Sequence, residues 1–189
     1  MKSTITTKKV VITALLAALT VVGSAIRVTI PIDIGGNTSF HLGNIMCALA
    51  GLLLGPWYGG LAAGIGSAIY DCFNPIYISE CWITFLSKGA YGVVAGLVAR
   101  CGIKLLRKEY LTSTLATAAG AVTYAVLYLL KSYIKEIYVK GLTHEAALIA
   151  VATKLPATIF NGVVAIIFAP ILYIAIKKAL EKNHLSIPD

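Results

Sequence analysis

Apolar residues run along this chain in about six blocks, separated by short stretches where glycine, proline and charge collect. Blocks of this length predict helices over about 9–25, 42–54, 57–73, 82–106, 111–133 and 145–176. The second and third are short and rich in glycine (Gly51, Gly55, Gly59, Gly60, Gly64, Gly66), which suits close contact between helices better than a long wall facing lipid. Gly55-Pro56 predicts a tight turn between them, and Asn74-Pro75 opens a loop after the third. Between the first two helices, Arg27, Pro31, Asp33, Gly35, Gly36 and Asn37 predict a long polar loop. No repeat or low-complexity linker divides the sequence, so residues 1–189 are expected to form one domain.

Composition sets the class. Hydrophobic residues make up 58% of the 189 and charged residues 13%, with a mean hydropathy of +0.85. A soluble domain carries about 25% charged residues, so the expected fold class is an all-α integral membrane protein with six transmembrane helices in one compact bundle. A net charge of +8 would otherwise point to nucleic acid, but the basic residues form no single solvated patch and no nucleic-acid partner is expected. They mark helix ends instead. With the N-terminus inside, Lys2, Lys8, Lys9, Arg100, Lys104, Arg107, Lys108, Lys177, Lys178 and Lys182 fall on one side, against Arg27, Lys131, Lys135 and Lys140 on the other. Ten against four places both termini in the cytoplasm by the positive-inside rule. A competing reading of the start is a signal peptide: Lys8-Lys9, an apolar run and Gly23-Ser24-Ala25 have its outline.

Charges inside spans are expensive unless paired or solvated, and so mark candidate sites. Asp71, Lys88, Lys131 and Lys154 all fall in the outer halves of their predicted helices. Tyr124, Tyr128 and Lys131 stand at i, i+4 and i+7 and share one helix face, and Tyr91 follows Lys88 by three residues. Lys154, Thr158 and Asn161 line another face, with Pro156 freeing a backbone carbonyl one turn earlier. Tyrosines beside lysines can stack on a flat heterocycle while the ammonium groups meet an anion. Plainer roles compete at each position. Lys131 suits snorkelling to the outer surface, Asp71 an ion pair with Lys88, Tyr124 and Tyr128 ordinary packing, and Asn161 a helix–helix hydrogen bond. His41 and Asn44, where the second helix begins, are candidates for ligand contact or for capping, and Tyr77 and Glu80 for another edge of the site.

Enzyme chemistry is not expected. His144-Glu145 lacks the second histidine of a zinc helix, and neither a Walker motif nor a Gly-x-Ser-x-Gly elbow occurs. Three histidines (His41, His144, His184) fall in separate regions, so neither a metal site nor any cofactor is expected. Cys72 and Cys81 are placed to meet outside the membrane, but spacing does not decide whether they pair.

The helix face of Ala14, Ala17 and Ala18 lets another helix backbone approach closely. Together with Leu53-Leu54-Gly55-Pro56-Trp57-Tyr58-Gly59-Gly60, the Gly64-x-x-x-Ala68 helix ending at Asp71 and the six-span size, it resembles the substrate-binding S components of bacterial energy-coupling factor (ECF) vitamin transporters. The similarity spans essentially the whole chain. It implies capture of a small water-soluble vitamin at the outer face of the bacterial cytoplasmic membrane. It also implies docking through Ala14, Ala17 and Ala18 on a transmembrane T protein driven by two cytoplasmic ATPases. The loop from Asp33 to His41 would then act as a lid over the ligand. Vitamin B6 forms, the thiamine pyrimidine precursor, pantothenate and riboflavin-like molecules all remain open as substrates. A self-sufficient secondary transporter or channel is the alternative, and it would call for inverted repeats or a polar path through both halves.

Overall fold

A computed structural model describes residues 7–32, 36–106, 108–183 and 185. Lys2, Arg107 and His184, with the Asp33-Ile34-Gly35 part of the expected lid and the side chain of Lys104, lie outside the described residues. The chain is mostly helical, and five of its helical segments are long and apolar enough to cross a membrane. The elements in chain order are α1 (Thr7–Ala25), a two-stranded hairpin of β1 (Arg27–Ile32) and β2 (Gly36–His41), α2 (Gly43–Cys72), α3 (Cys81–Leu106), α4 (Glu109–Tyr138), α5 (His144–Ala152) and α6 (Leu155–Lys182); α5 and α6 together make the fifth membrane-length segment.

α2 is not straight. Gly55 takes φ 75° and ψ −170°, a left-handed region that glycine enters without steric cost, and Pro56 then restarts the helix without needing an amide partner. The chain folds back so that Cys47 Sγ lies 3.7 Å from Ser67 Oγ. Side chains would hold the two limbs apart, and glycine removes them: a Cβ on Gly59 would lie 2.6 Å from Gly51 Cα. Arg100 closes the bend by donating from Nη2 to the Leu54 carbonyl at 3.4 Å, a cation at a helix C-terminus where carbonyls lack partners. The limb of residues 43–54 is about 18 Å long at 1.5 Å per residue, well short of a hydrocarbon core of about 30 Å. Space is therefore left beyond its start, at Asn44.

The bundle is held by small residues. Cys47, Ala48, Ala63, Ala95, Ala165 and Ala169 surround the buried Tyr91, with α2, α3, α4 and α6 all contributing. Large apolar side chains such as Leu15, Leu86, Val126 and Phe168 point outward instead, as expected where the surroundings are lipid. Exposed aromatics stand at both ends: Trp57 and Tyr110 near the Gly55 bend, Phe73, Trp82 and Tyr138 at the far end. Two such belts, separated by apolar helix surface, mark the two membrane interfaces of a multi-pass protein.

Three stretches differ from the sequence expectation. The polar loop after the first helix is an antiparallel hairpin in which Arg27 pairs with His41 and Ile30 with Thr38. The helix expected over 111–133 continues to Tyr138, because nothing between Tyr133 and Tyr138 breaks it. The long helix expected over 145–176 divides at Thr153-Lys154 into α5 and α6. Pro156 has no amide hydrogen for the carbonyl four residues back, and its ring crowds that turn.

Candidate functional site

A cavity of about 280 Å³ lies at the end of the bundle opposite the Gly55 bend. The hairpin covers it. Ser24 and Arg27, Ser67 and Asp71, Ser87 and Lys88, Tyr124, Tyr128 and Lys131, and Lys154, Thr158 and Asn161 bring α1, α2, α3, α4 and α6 to its wall. Asn37, Thr38, Ser39 and His41 supply the hairpin side, and Tyr77 and Glu80 the loop before α3.

Lys88 is 3% exposed. Its ammonium donates to Asn44 Oδ1 and lies 4.0 Å from the centroid of the Tyr124 ring, so an amide oxygen and a π face replace part of its lost hydration. Tyr91, Tyr124 and Tyr128 form a stacked column, with centroid spacings of 6.2 Å and 5.8 Å. Lys131 sits 5.3 Å from the Tyr128 centroid. Arg27 donates from Nε to the Ser24 carbonyl at 3.0 Å, and its guanidinium lies against Tyr70 and Tyr77 at 4.3 Å and 4.9 Å.

Two carboxylates each hold two lysines. Glu80 accepts from Lys131 and Lys135. Glu136, fully buried, meets Lys140 at 2.8 Å and Lys154 at 3.4 Å. Lys154 stands at the break where α6 begins, and its ammonium reaches back to Glu136 of α4. Asp71 is buried, with the Thr84 hydroxyl beside it and the positive charges of Arg27, Lys88 and Lys131 acting on it.

Asn161 holds the hairpin with both ends of its amide. Asn161 Oδ1 accepts from the His41 amide at 2.9 Å, and Asn161 Nδ2 donates to the Ser39 carbonyl at 2.8 Å. Ser39 also meets the Tyr77 hydroxyl at 2.9 Å, and Phe40 packs edge-on against Phe160 of α6 at 5.1 Å. His41 Nδ1 accepts from the Gly43 amide at 3.1 Å, which leaves the proton of the neutral ring on Nε2. Burial, with the charges of Lys88 and Arg27, holds the His41 ring well below the ordinary imidazole range.

Of the residues singled out in the sequence, Lys154, Lys88, Tyr128, Tyr124, Asn161, Asp71, Lys131 and His41 line this cavity. Asn44 stands one layer behind as the partner of Lys88, and Tyr91 is buried behind Tyr124 at the base of the column. The Asp71–Lys88 ion pair weighed as a plainer role for Asp71 is not among those the described residues form. Asn161 binds the hairpin backbone, not another helix. Sequence reasoning did not single out Arg27, Lys135, Glu136 or Lys140 for the site. Glu136 and Lys140 carried a signal, an i, i+4 acid–base pair, hidden by ending the helix too early. On α1, Ala14 and Ala18 face outward, whereas Ala17 is buried with its carbonyl close against Gly66. Cys72 and Cys81 are both free thiols.

The family described as ECF-type riboflavin transporter, S component, matches this chain over residues 4–178. The chain belongs to that family. Its fold is similar to that of the S component for biotin from an ECF-type ABC transporter, with a TM-score of 0.62 at 15% identity, covering 89% of this chain and 94% of that one. Among sequence relatives, a UPF0397 protein of Streptococcus gordonii is 27% identical over 183 residues, 96% of this chain and 94% of its own length. A protein encoded in the gap 3′ region of Pyrococcus woesei is 31% identical over 117 residues, 62% of this chain and 72% of its own.

Proposed function

We propose that this S component captures a small water-soluble vitamin or related micronutrient in the hairpin-covered cavity and delivers it across the bacterial cytoplasmic membrane as part of an ECF-type importer. The observation that carries this reading is a polar cavity whose wall draws on α1, α2, α3, α4 and α6, at one end of an otherwise apolar bundle. Membership of the S-component family supports it.

Counting the limbs of α2 separately gives six spans with both termini on one side. The end bearing Lys8, Lys9, Arg100, Lys108, Lys177 and Lys178 then faces the cytoplasm, and the cavity faces outward. The hairpin is the lid, held by Asn161. The outward face of α1, with Ala14 and Ala18 among Val11, Leu15 and Val22, is the surface for a T protein. Ala17 contributes from beneath by letting α1 lie close to α2. Delivery proceeds by reorientation of the small bundle against that protein, with energy from two partner ATPases. No catalytic residue and no cofactor are needed in this chain.

Reconstitution tests the assignment. Proteoliposomes holding this chain, a T protein and both ATPases should accumulate a labelled vitamin only with internal ATP. Accumulation by this chain alone, at the same rate, would establish a self-sufficient transporter instead.

A further inference from the structure

Among the described residues, the positive charge lining the cavity exceeds what the carboxylates there can balance. Six cationic side chains face it, against Asp71, Glu80 and the Glu136 that pairs with Lys140 and Lys154. Each of the two lysine pairs therefore keeps one formal positive charge after its glutamate is counted. Asp71 offsets only one of the remaining two, Arg27 and Lys88. Among the described residues a formal excess of three positive charges therefore faces the cavity; of its six cations Lys88 and Lys154 are the buried ones, and a buried charge left uncompensated costs several kcal/mol. An anionic ligand would remove much of that cost on binding.

The aromatic residues point the same way. A ring-stacking site needs an open π face, yet Tyr124 lies between Tyr91 and Tyr128 with the Lys88 ammonium on it. Tyr128 in turn faces Lys131. Arg27 likewise occupies the faces of Tyr70 and Tyr77. The rings hold cations in place beside the cavity and leave little π surface for a ligand. A volume of about 280 Å³ is also at the small end of the roughly 300–1,000 Å³ usual for ligand pockets.

We infer that the cavity selects a small ligand carrying at least one ionised carboxylate or phosphate group, in preference to a neutral flat heterocycle. Lys88 is the specificity-determining residue: it is buried, it has a neutral hydrogen-bond partner, and no carboxylate pairs with it among the described residues. The inference rests on the capture reading above and adds the ligand's charge to it.

The test uses purified full-length protein in detergent and matched pairs, each an anion with a neutral counterpart. These are pantothenate with pantothenol, nicotinate with nicotinamide, and riboflavin 5′-phosphate with riboflavin, measured by titration calorimetry. The expected result is that the anionic member of at least one pair binds ten-fold or more tightly than its neutral partner. Lys88→Gln, checked for folding by gel filtration, should weaken that anion ten-fold or more and leave the neutral partner within two-fold. If Lys88→Gln does not fold, Lys154→Gln takes its place with the same expectation. The first two pairs report a carboxylate and the third a phosphate. A neutral member binding as tightly as its anionic partner would overturn the charge preference while leaving capture intact. If no pair binds, the molecule released from the purified protein by denaturation decides: an anion at pH 7 supports the inference, and a neutral molecule overturns it. No binding and no released molecule would overturn both the inference and the capture reading.

Discussion

Asn161 offers both ends of one amide to the hairpin, to the His41 amide and the Ser39 carbonyl. Two such bonds contribute about 1 kcal/mol each, so Asn161→Leu should weaken ligand binding roughly ten- to thirty-fold. The loss should appear in the dissociation rate, because the lid would reopen sooner. A stopped-flow comparison with the unaltered protein measures it; an unchanged off-rate would mean that the hairpin is held by other contacts. His41 ends the hairpin just before α2, and protonating it would remove the Nδ1 acceptor from the Gly43 amide. Its folded-state affinity for a proton is lowered, first by burial and then by Lys88 and Arg27, so the unfolded chain binds that proton more readily. The His41 contribution to stability is thus complete above the unfolded imidazole value of about 6.5 and is lost as pH falls below it toward the folded value. Melting curves between pH 8 and pH 5 should show the unaltered protein losing more stability than His41→Gln, and parallel curves would contradict this. Glu136 holds Lys140 and Lys154 together from a fully buried position. Glu136→Gln leaves both lysines without their carboxylate. Buried pairs broken this way lose about 3–5 kcal/mol, less where one lysine is half-exposed as Lys140 is, and thermal melting in detergent should register a loss on the order of 2 kcal/mol.

Among the elements, the fold-back of α2 and the break before α6 do most to build the site. The bend depends on Gly55 at φ 75°. Gly55→Ala would place a Cβ within 2.4 Å of the Arg100 guanidinium and force alanine into a left-handed conformation costing of order 1 kcal/mol or more. A lowered melting temperature with ligand contacts otherwise unchanged is the expected outcome, read by thermal unfolding with and without ligand. The bend was legible because Gly55-Pro56 interrupts an apolar run that is too long for one span and too glycine-rich for a lipid-facing wall. The break before Pro156 was half legible: the proline was evident, but whether it kinks a helix or divides it depends on packing against α4. The hairpin was not read as strands, although Arg27-Val28-Thr29-Ile30 alternates polar and apolar residues, because its glycine-rich turn signalled a loop more strongly. Helix periodicity placed Tyr124, Tyr128 and Lys131 on one face correctly, since spacing along a helix fixes direction. It could not say that the tyrosines would stack on one another, which is set by the neighbouring Tyr91 of α3.

Across the whole molecule, the two ends of the bundle are built differently. One end of the bundle is closed by glycine contacts and the Gly55 bend; the other holds the cavity, where α2 begins late and the hairpin covers the gap. The apolar exterior between the aromatic belts leaves α1 free to meet a partner helix, and Ala14→Leu with Ala18→Leu should reduce co-purification with a T protein without altering vitamin binding. Native mass spectrometry of the detergent-purified protein reads whether the cavity holds a vitamin-sized molecule. Vitamin capture requires a bound molecule of vitamin size that is lost in Lys154→Ala while the variant stays monodisperse. A protein that carries nothing, and that stays empty when incubated with a panel of vitamins, would contradict it.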